Sequence, residues 1–190
     1  MFRKIALALA ILAGLSAAAT AQTKVKISRS TVESLPFTIV YPDDWVANPV
    51  SNTTVASVAH PDLPLKCEVL IDDMPREYSA QELLDTLDEG VVNTELSKSF
   101  PGFRLTRKGL TKFASGPALY YEGVSQSSEY GFPLHLFHGE SVKGTQRHTL
   151  ECLAAEEIAD EARPTVEVIF ANFSTRSDGT CCVEPETSGK

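Results

Sequence analysis

Residue patterns that carry familiar catalysis are scarce in this 190-residue chain. No H-E-x-x-H, C-x-x-C, S-x-x-K or G-x-G-x-x-G pattern occurs, so zincin, dithiol, β-lactamase-type and dinucleotide-binding chemistries lack their residues. Gly139-Glu140-Ser141-Val142-Lys143-Gly144 spaces two glycines as a P-loop does, but Thr145 stands where the phosphate-binding lysine belongs. Gly123-Val124-Ser125-Gln126-Ser127 misses a nucleophile elbow because Ser127 replaces its second glycine. Basic residues are also few, 17 against 25 acidic ones, for a formal charge of −8. A chain this acidic has no footprint for a phosphate backbone, so neither nucleic acid nor an anionic membrane surface is an expected partner. Such charge favours solubility and could draw in a cationic partner or a metal ion. No cofactor motif is present, and no cofactor is expected.

Long apolar runs are missing too, with one exception at the start. Ile5 to Leu15 is apolar, Arg3 and Lys4 precede it, and Ala19-Thr20-Ala21 offers a small-x-small cleavage site. The run falls short of the roughly 20 residues that span a bilayer. Residues 1–21 therefore read as a secretory signal peptide. The chain is expected in the periplasm or outside the cell, with no stable membrane insertion after cleavage. No cysteine lies at the cleavage site, which speaks against a lipid anchor. Loss of Arg3 and Lys4 with the signal takes the formal charge to −10.

Four cysteines remain: Cys67, Cys152, Cys181 and Cys182. In an oxidising compartment an even number suggests disulfides, with three connectivities open. Cys67 shares a strand face with Val69 and Ile71, and Cys152 shares one with Leu150. Both should point inward, as a Cys67–Cys152 bridge if their strands are neighbours or as two buried thiols if not. Cys181-Cys182 could form a vicinal ring, reach back to the domain or cross-link two chains.

The rest of the chain reads as one domain. Residues 22–34 make a polar lead-in, residues 35–175 the domain, and residues 176–190 a flexible tail holding two cysteines. Phe37, Ile39 and Tyr41 alternate in a first strand ended by Pro42, and a strand pair follows over Val55 to Ala59 and Leu65 to Ile71. Ser79-Ala80-Gln81-Glu82 is a capping box, and Leu83, Leu87 and Val91 recur behind it at helical spacing, predicting one helix to about Leu96 with Gly90 at its middle. Strands are expected over Arg104 to Phe113, Leu119 to Gln126, Phe132 to Val142 and Thr145 to Leu153, with Lys143-Gly144 as the last turn. Val166, Ile169, Phe170 and Phe173 fall at i, i+3, i+4 and i+7 of a closing helix, with Pro164 in its first turn. The sum is an α+β fold, an α/β/α sandwich whose central, mainly antiparallel meander carries helices on both faces.

Two candidate sites emerge. His138 and Glu140 share a strand face, and His148 on the next strand could approach it, giving a possible zinc or copper trio. His135 is three residues from His138 and points to the opposite face. Asp43-Asp44-Trp45 offers acids beside the only tryptophan, a vocabulary common to sugar sites. Adjacent carboxylates do not flank a scissile bond, so Trp45 is expected to seal the core and the two acids to face solvent.

Phe37-x-Ile39-x-Tyr41-Pro42-x-x-Trp45 resembles the F-x-I-x-Y-P-x-x-W opening of the Mog1p/PsbP-like proteins, with Tyr41, Pro42 and Trp45 as fold markers. Gly116-Pro117-Ala118-Leu119-Tyr120-Tyr121 is similar to the segment that precedes their meander. Ile169-Phe170-Ala171-Asn172-Phe173-Ser174 is similar to their terminal helix ending. The resemblance implies the sandwich just described. The family includes a photosystem II extrinsic subunit, a Ran-binding import factor, DcrB-like envelope proteins and effector chaperones, which share binding or assembly work and no common catalytic centre. With a signal peptide, the DcrB-like envelope branch is the nearest match. The expectation is a non-enzymatic exported protein that binds a protein or peptide partner in envelope assembly or transport. A metal-delivery protein and a periplasmic inhibitor or immunity protein are the alternatives.

Overall fold

Two sheets share the strands. The computed structural model describes residues 24–50, 53–128 and 130–182, so the expected signal peptide and residues 183–190 of the tail lie outside it. The strands β1 (Val25–Arg29) and β2 (Thr38–Pro42) pair antiparallel in a small sheet of their own. A second, seven-stranded antiparallel sheet follows, built from β3 (Val46–Ala47), β4 (Thr54–Ala59), β5 (Leu65–Asp73), β6 (Arg104–Phe113), β7 (Gly116–Ser125), β8 (Leu134–Lys143) and β9 (Gln146–Ala155). Their order is β3-β4-β5-β9-β8-β7-β6. Four consecutive strands, β6 to β9, form the expected meander, and β5 docks on the outer side of β9.

Helices cover both faces. The closing helix α3 (Ala159–Ala171) follows a short 3-10 turn at Glu156–Ile158 and buries Ala162, Val166, Ile169 and Phe170 against one face. Val166, Ile169, Phe170 and Phe173 together contribute on the order of 6–12 kcal/mol of apolar burial before the cost of ordering the chain. The helices α1 (Ala80–Thr86) and α2 (Glu89–Leu96) cover the other face, where Leu83 joins Leu119, Tyr121 and Leu136. The alternation of β5 explains why the layers need each other. Leu65, Cys67, Val69 and Ile71 are buried on one side, while Lys66, Glu68 and Asp72 stay half-exposed on the other.

Several expected boundaries move. Part of the polar lead-in is the strand β1. The single helix to Leu96 is two, because Leu87 is extended and Asp88 restarts the helix by accepting from the Val91 N–H at 3.0 Å. Gly90 thus lies in a first turn. The capping box forms as expected, with the Glu82 N–H donating to the Ser79 hydroxyl and the Ser79 N–H to the Glu82 carboxylate. Pro164 sits inside α3 rather than in its first turn, on an exposed face where the carbonyl it leaves unpaired can meet water. The last hairpin pairs Lys143 with Gln146, so the turn is Gly144-Thr145, with Gly144 left-handed at φ +61°. The tail is tied down at its start. Thr38 and Ser174 exchange backbone hydrogen bonds at 2.9 Å, and the Thr38 hydroxyl donates to the Arg176 carbonyl at 2.6 Å.

Cys67 and Cys152 lie opposite each other in the β5–β9 register and form a disulfide, both wholly buried. Cys181 and Cys182 form a vicinal pair. A buried cross-strand disulfide suits an oxidising compartment.

Candidate functional site

The Tyr41-Pro42-Asp43-Asp44-Trp45 stretch is where the chain leaves the small sheet and enters the large one. The Trp45 N–H donates to the Pro42 carbonyl at 3.2 Å, closing the corner. Trp45 is 2% exposed, and Asp43 and Asp44 face solvent. The corner does more than seal the core. Its outer wall opens into a recess of about 260 Å³ between the corner, the β4–β5 turn and the first half of α3. Pro42, Leu63, Leu65 and Ile158 supply apolar walls, while Asp44 and Glu161 bring carboxylates and Thr165 a hydroxyl. His60 packs edge-on to Trp45, with ring centroids 6.1 Å apart. Its Nδ1 accepts from the Asp62 and Leu63 N–H groups, both at 3.0 Å, leaving Nε2 as the protonated nitrogen of the neutral ring.

The proposed metal trio does not assemble. In the β8–β9 register His138 faces Glu151, whereas His148 faces Ser141 on the other side of the sheet. A two-residue hairpin loop fixes this parity, because residues on one strand alternate faces. His148 donates from Nε2 to the Pro36 carbonyl at 2.9 Å, and burial pushes its pKa down; its Nδ1 has no partner among the described residues. His138 instead lies between Glu151, 2.9 Å from Nδ1, and Glu140, 3.3 Å from Nε2, stacked on Tyr121 at 4.0 Å. Burial opposes the imidazolium, but the two carboxylates outweigh it and raise the His138 pKa. Acids on opposite edges of one ring grip a cation-like imidazole and do not converge on a metal. Among the described residues, no three His, Cys, Asp or Glu are placed to hold a metal ion.

A second buried network lies under α3. Glu122, 3% exposed, accepts from both arms of Arg163 at 2.7 and 2.8 Å and from the Tyr120 hydroxyl at 2.7 Å. His135 Nε2 lies 2.9 Å from the same carboxylate, and its Nδ1 3.0 Å from Glu156. Burial alone would lift the Glu122 carboxyl, but the bonds from His135, Arg163 and Tyr120 hold it far below the usual carboxylate range. His135 and His138 thus occupy opposite faces, as their spacing implied.

No family model matches the sequence, and no curated protein matches it significantly. Solved structures do. Cyanobacterial PsbP (CyanoP) from Synechocystis sp. PCC 6803 aligns with a TM-score of 0.53 at 13% identity, over 81% of this chain and 95% of that one. LpqN, involved in cell envelope biogenesis of Mycobacterium tuberculosis, gives 0.53 at 14% identity, over 80% and 91%. A Mog1 mutant protein gives 0.53 at 8% identity, over 82% and 97%. The chain has the PsbP/Mog1-like fold. At these identities the likeness establishes the fold alone.

Within this PsbP/Mog1-like domain, sequence reasoning missed three features of the arrangement just described. It assigned no role to His60, which lies in the β4–β5 turn. It overlooked Glu122–Arg163, which are 41 residues apart and meet only when α3 folds back on the sheet. It also passed over Glu151, which stands opposite His138 only because the turn is Gly144-Thr145 and not the expected Lys143-Gly144.

Proposed function

We propose that the chain is an exported, non-enzymatic binding protein that engages a protein or peptide partner in envelope assembly or transport. The observation that carries this reading is how the chemically capable groups are spent. Glu122, His135 and Arg163 satisfy one another beneath α3, and His138, Glu140 and Glu151 do so on the other face. The Trp45 recess, by contrast, presents apolar walls and carboxylates to solvent, the makings of a docking surface. A buried disulfide and a leader-like N-terminus support export to the periplasm or beyond. LpqN, a protein of the same fold, is described as involved in cell envelope biogenesis, which supports an envelope role.

The test is cross-linked co-purification of the exported chain from its native envelope, beside a hydrolase substrate panel. A stoichiometric polypeptide partner and no turnover are expected. Turnover on any panel substrate that follows the purified chain would overturn the reading.

A further inference from the structure

We propose that the Trp45 recess receives a basic side chain, arginine or lysine, from a polypeptide partner. The inference rests on the binding-protein reading above and supplies the chemistry of its contact. Both carboxylates of the recess, Asp44 after β2 and Glu161 on α3, are exposed. Neither makes a hydrogen bond or ion pair with any described residue. Among the described residues, no lysine or arginine lines the recess. Lys26 donates to the Trp45 carbonyl at 3.2 Å and pairs with neither carboxylate.

The walls match the rest of such a side chain. Lysine and arginine carry apolar stems under a charged head, and Pro42, Leu63, Leu65 and Ile158 offer that stem an apolar lining. A volume of about 260 Å³ accommodates one long side chain and excludes a folded element. Thr165 adds a hydroxyl that can accept a further N–H. An anion is the poorer occupant although the N-terminus of α3 lies close by. Asp160 and Glu161 in its first turn already answer the positive end of the helix dipole. The formal charge of −8 on the full chain also steers cations toward it.

The experiment titrates the isotope-labelled, disulfide-intact exported chain with Ac-Gly-Arg-Gly-amide, its lysine and citrulline counterparts, and a glutamate control. Chemical shifts of the Trp45 indole and of the His60 and Thr165 amides are read. The arginine or lysine peptide should move these signals saturably, and citrulline, isosteric but neutral, should not. The double variant Asp44→Asn/Glu161→Gln should weaken binding at least tenfold while still melting cooperatively within a few degrees of wild type, since both residues are exposed and only the helix-dipole contribution of Glu161 is lost. Equal binding of citrulline, or shifts that map away from the recess, would overturn the proposal. The envelope partner separates this failure from that of the wider reading. A partner captured equally by wild type and double variant removes the recess as its contact and leaves the binding role standing. Peptide binding in the recess together with substrate turnover by the purified chain keeps the recess as a site for a basic side chain and ends the non-enzymatic reading.

Discussion

Arg163 on α3 donates two hydrogen bonds to Glu122 on β7, at 2.7 and 2.8 Å, fastening the closing helix to the sheet beneath it. Glu122 is 3% exposed and Arg163 only partly buried, so the pair lies at the margin of the core. Removing Arg163 alone leaves a buried carboxylate short of its strongest donor. The Arg163→Met variant should lose about 3 kcal/mol, toward the lower end of the cost of breaking a buried pair, because Tyr120, His135 and Arg107 remain on the carboxylate. The Glu122→Leu/Arg163→Met double variant should recover only part of that loss, because the Tyr120 hydroxyl and His135 Nε2 then lose their acceptor. Urea unfolding of the three proteins checks both statements, and a double variant no better than the single one would contradict them.

The Cys67–Cys152 bridge closes a long loop, with a sequence separation of 85. Cross-linking so distant a pair restricts the unfolded chain, and the Cys67→Ala/Cys152→Ala variant should lose about 2–5 kcal/mol. Because both residues are fully buried, dithiothreitol should reduce the native protein slowly and at a rate that follows unfolding. Reduction as fast in buffer as in urea would place the bridge at the surface.

His138 and His148 should titrate on opposite sides of the ordinary histidine value of about 6.5. Glu140 and Glu151 raise the His138 pKa against its burial, so its stabilising share is complete below about 6.5 and fades as pH rises through the folded value. Burial lowers the His148 pKa, so its share is complete above about 6.5 and fades as pH falls toward the folded value. Imidazole NMR titrations read both. The His148→Gln variant should flatten the acid limb of the stability profile, and His138→Gln the alkaline side. Two histidines titrating together near the free value would refute the assignment.

Gly139 on β8 leaves room for α3. A Cβ there would stand 2.7 Å from Phe170 and 2.8 Å from Phe113, two rings packed edge to face. The Gly139→Ala variant should lose about 1–3 kcal/mol by overpacking. Thermal melting measures it, and a neutral result would show that the aromatic layer can shift.

The amino-acid pattern made much of this molecule legible. Alternation in Leu65–Ile71 and the helical spacing of Val166, Ile169, Phe170 and Phe173 are local, so strands and closing helix could be read before any contact was known. The order of elements, with Phe37 to Trp45 at the front, was enough to point to the fold. The Asp88 cap was less visible, because a strong apolar period runs straight through Leu87. The metal trio failed for a different reason: His138 and His148 were paired by proximity in sequence, without the parity that a two-residue loop imposes.

Sequence by itself determined where chain segments alternate, where they coil and that Trp45 belongs inside, since each follows from side-chain period and hydrophobicity within a few residues. Only tertiary structure decided what meets what. The disulfide needed β5 beside β9, the Glu122–Arg163 pair needed α3 folded onto β7, and the acid-rimmed recess needed β2, the β4–β5 turn and α3 brought to one corner. Those contacts join residues tens of positions apart. Their partners are set by register and layer packing, which no local period encodes.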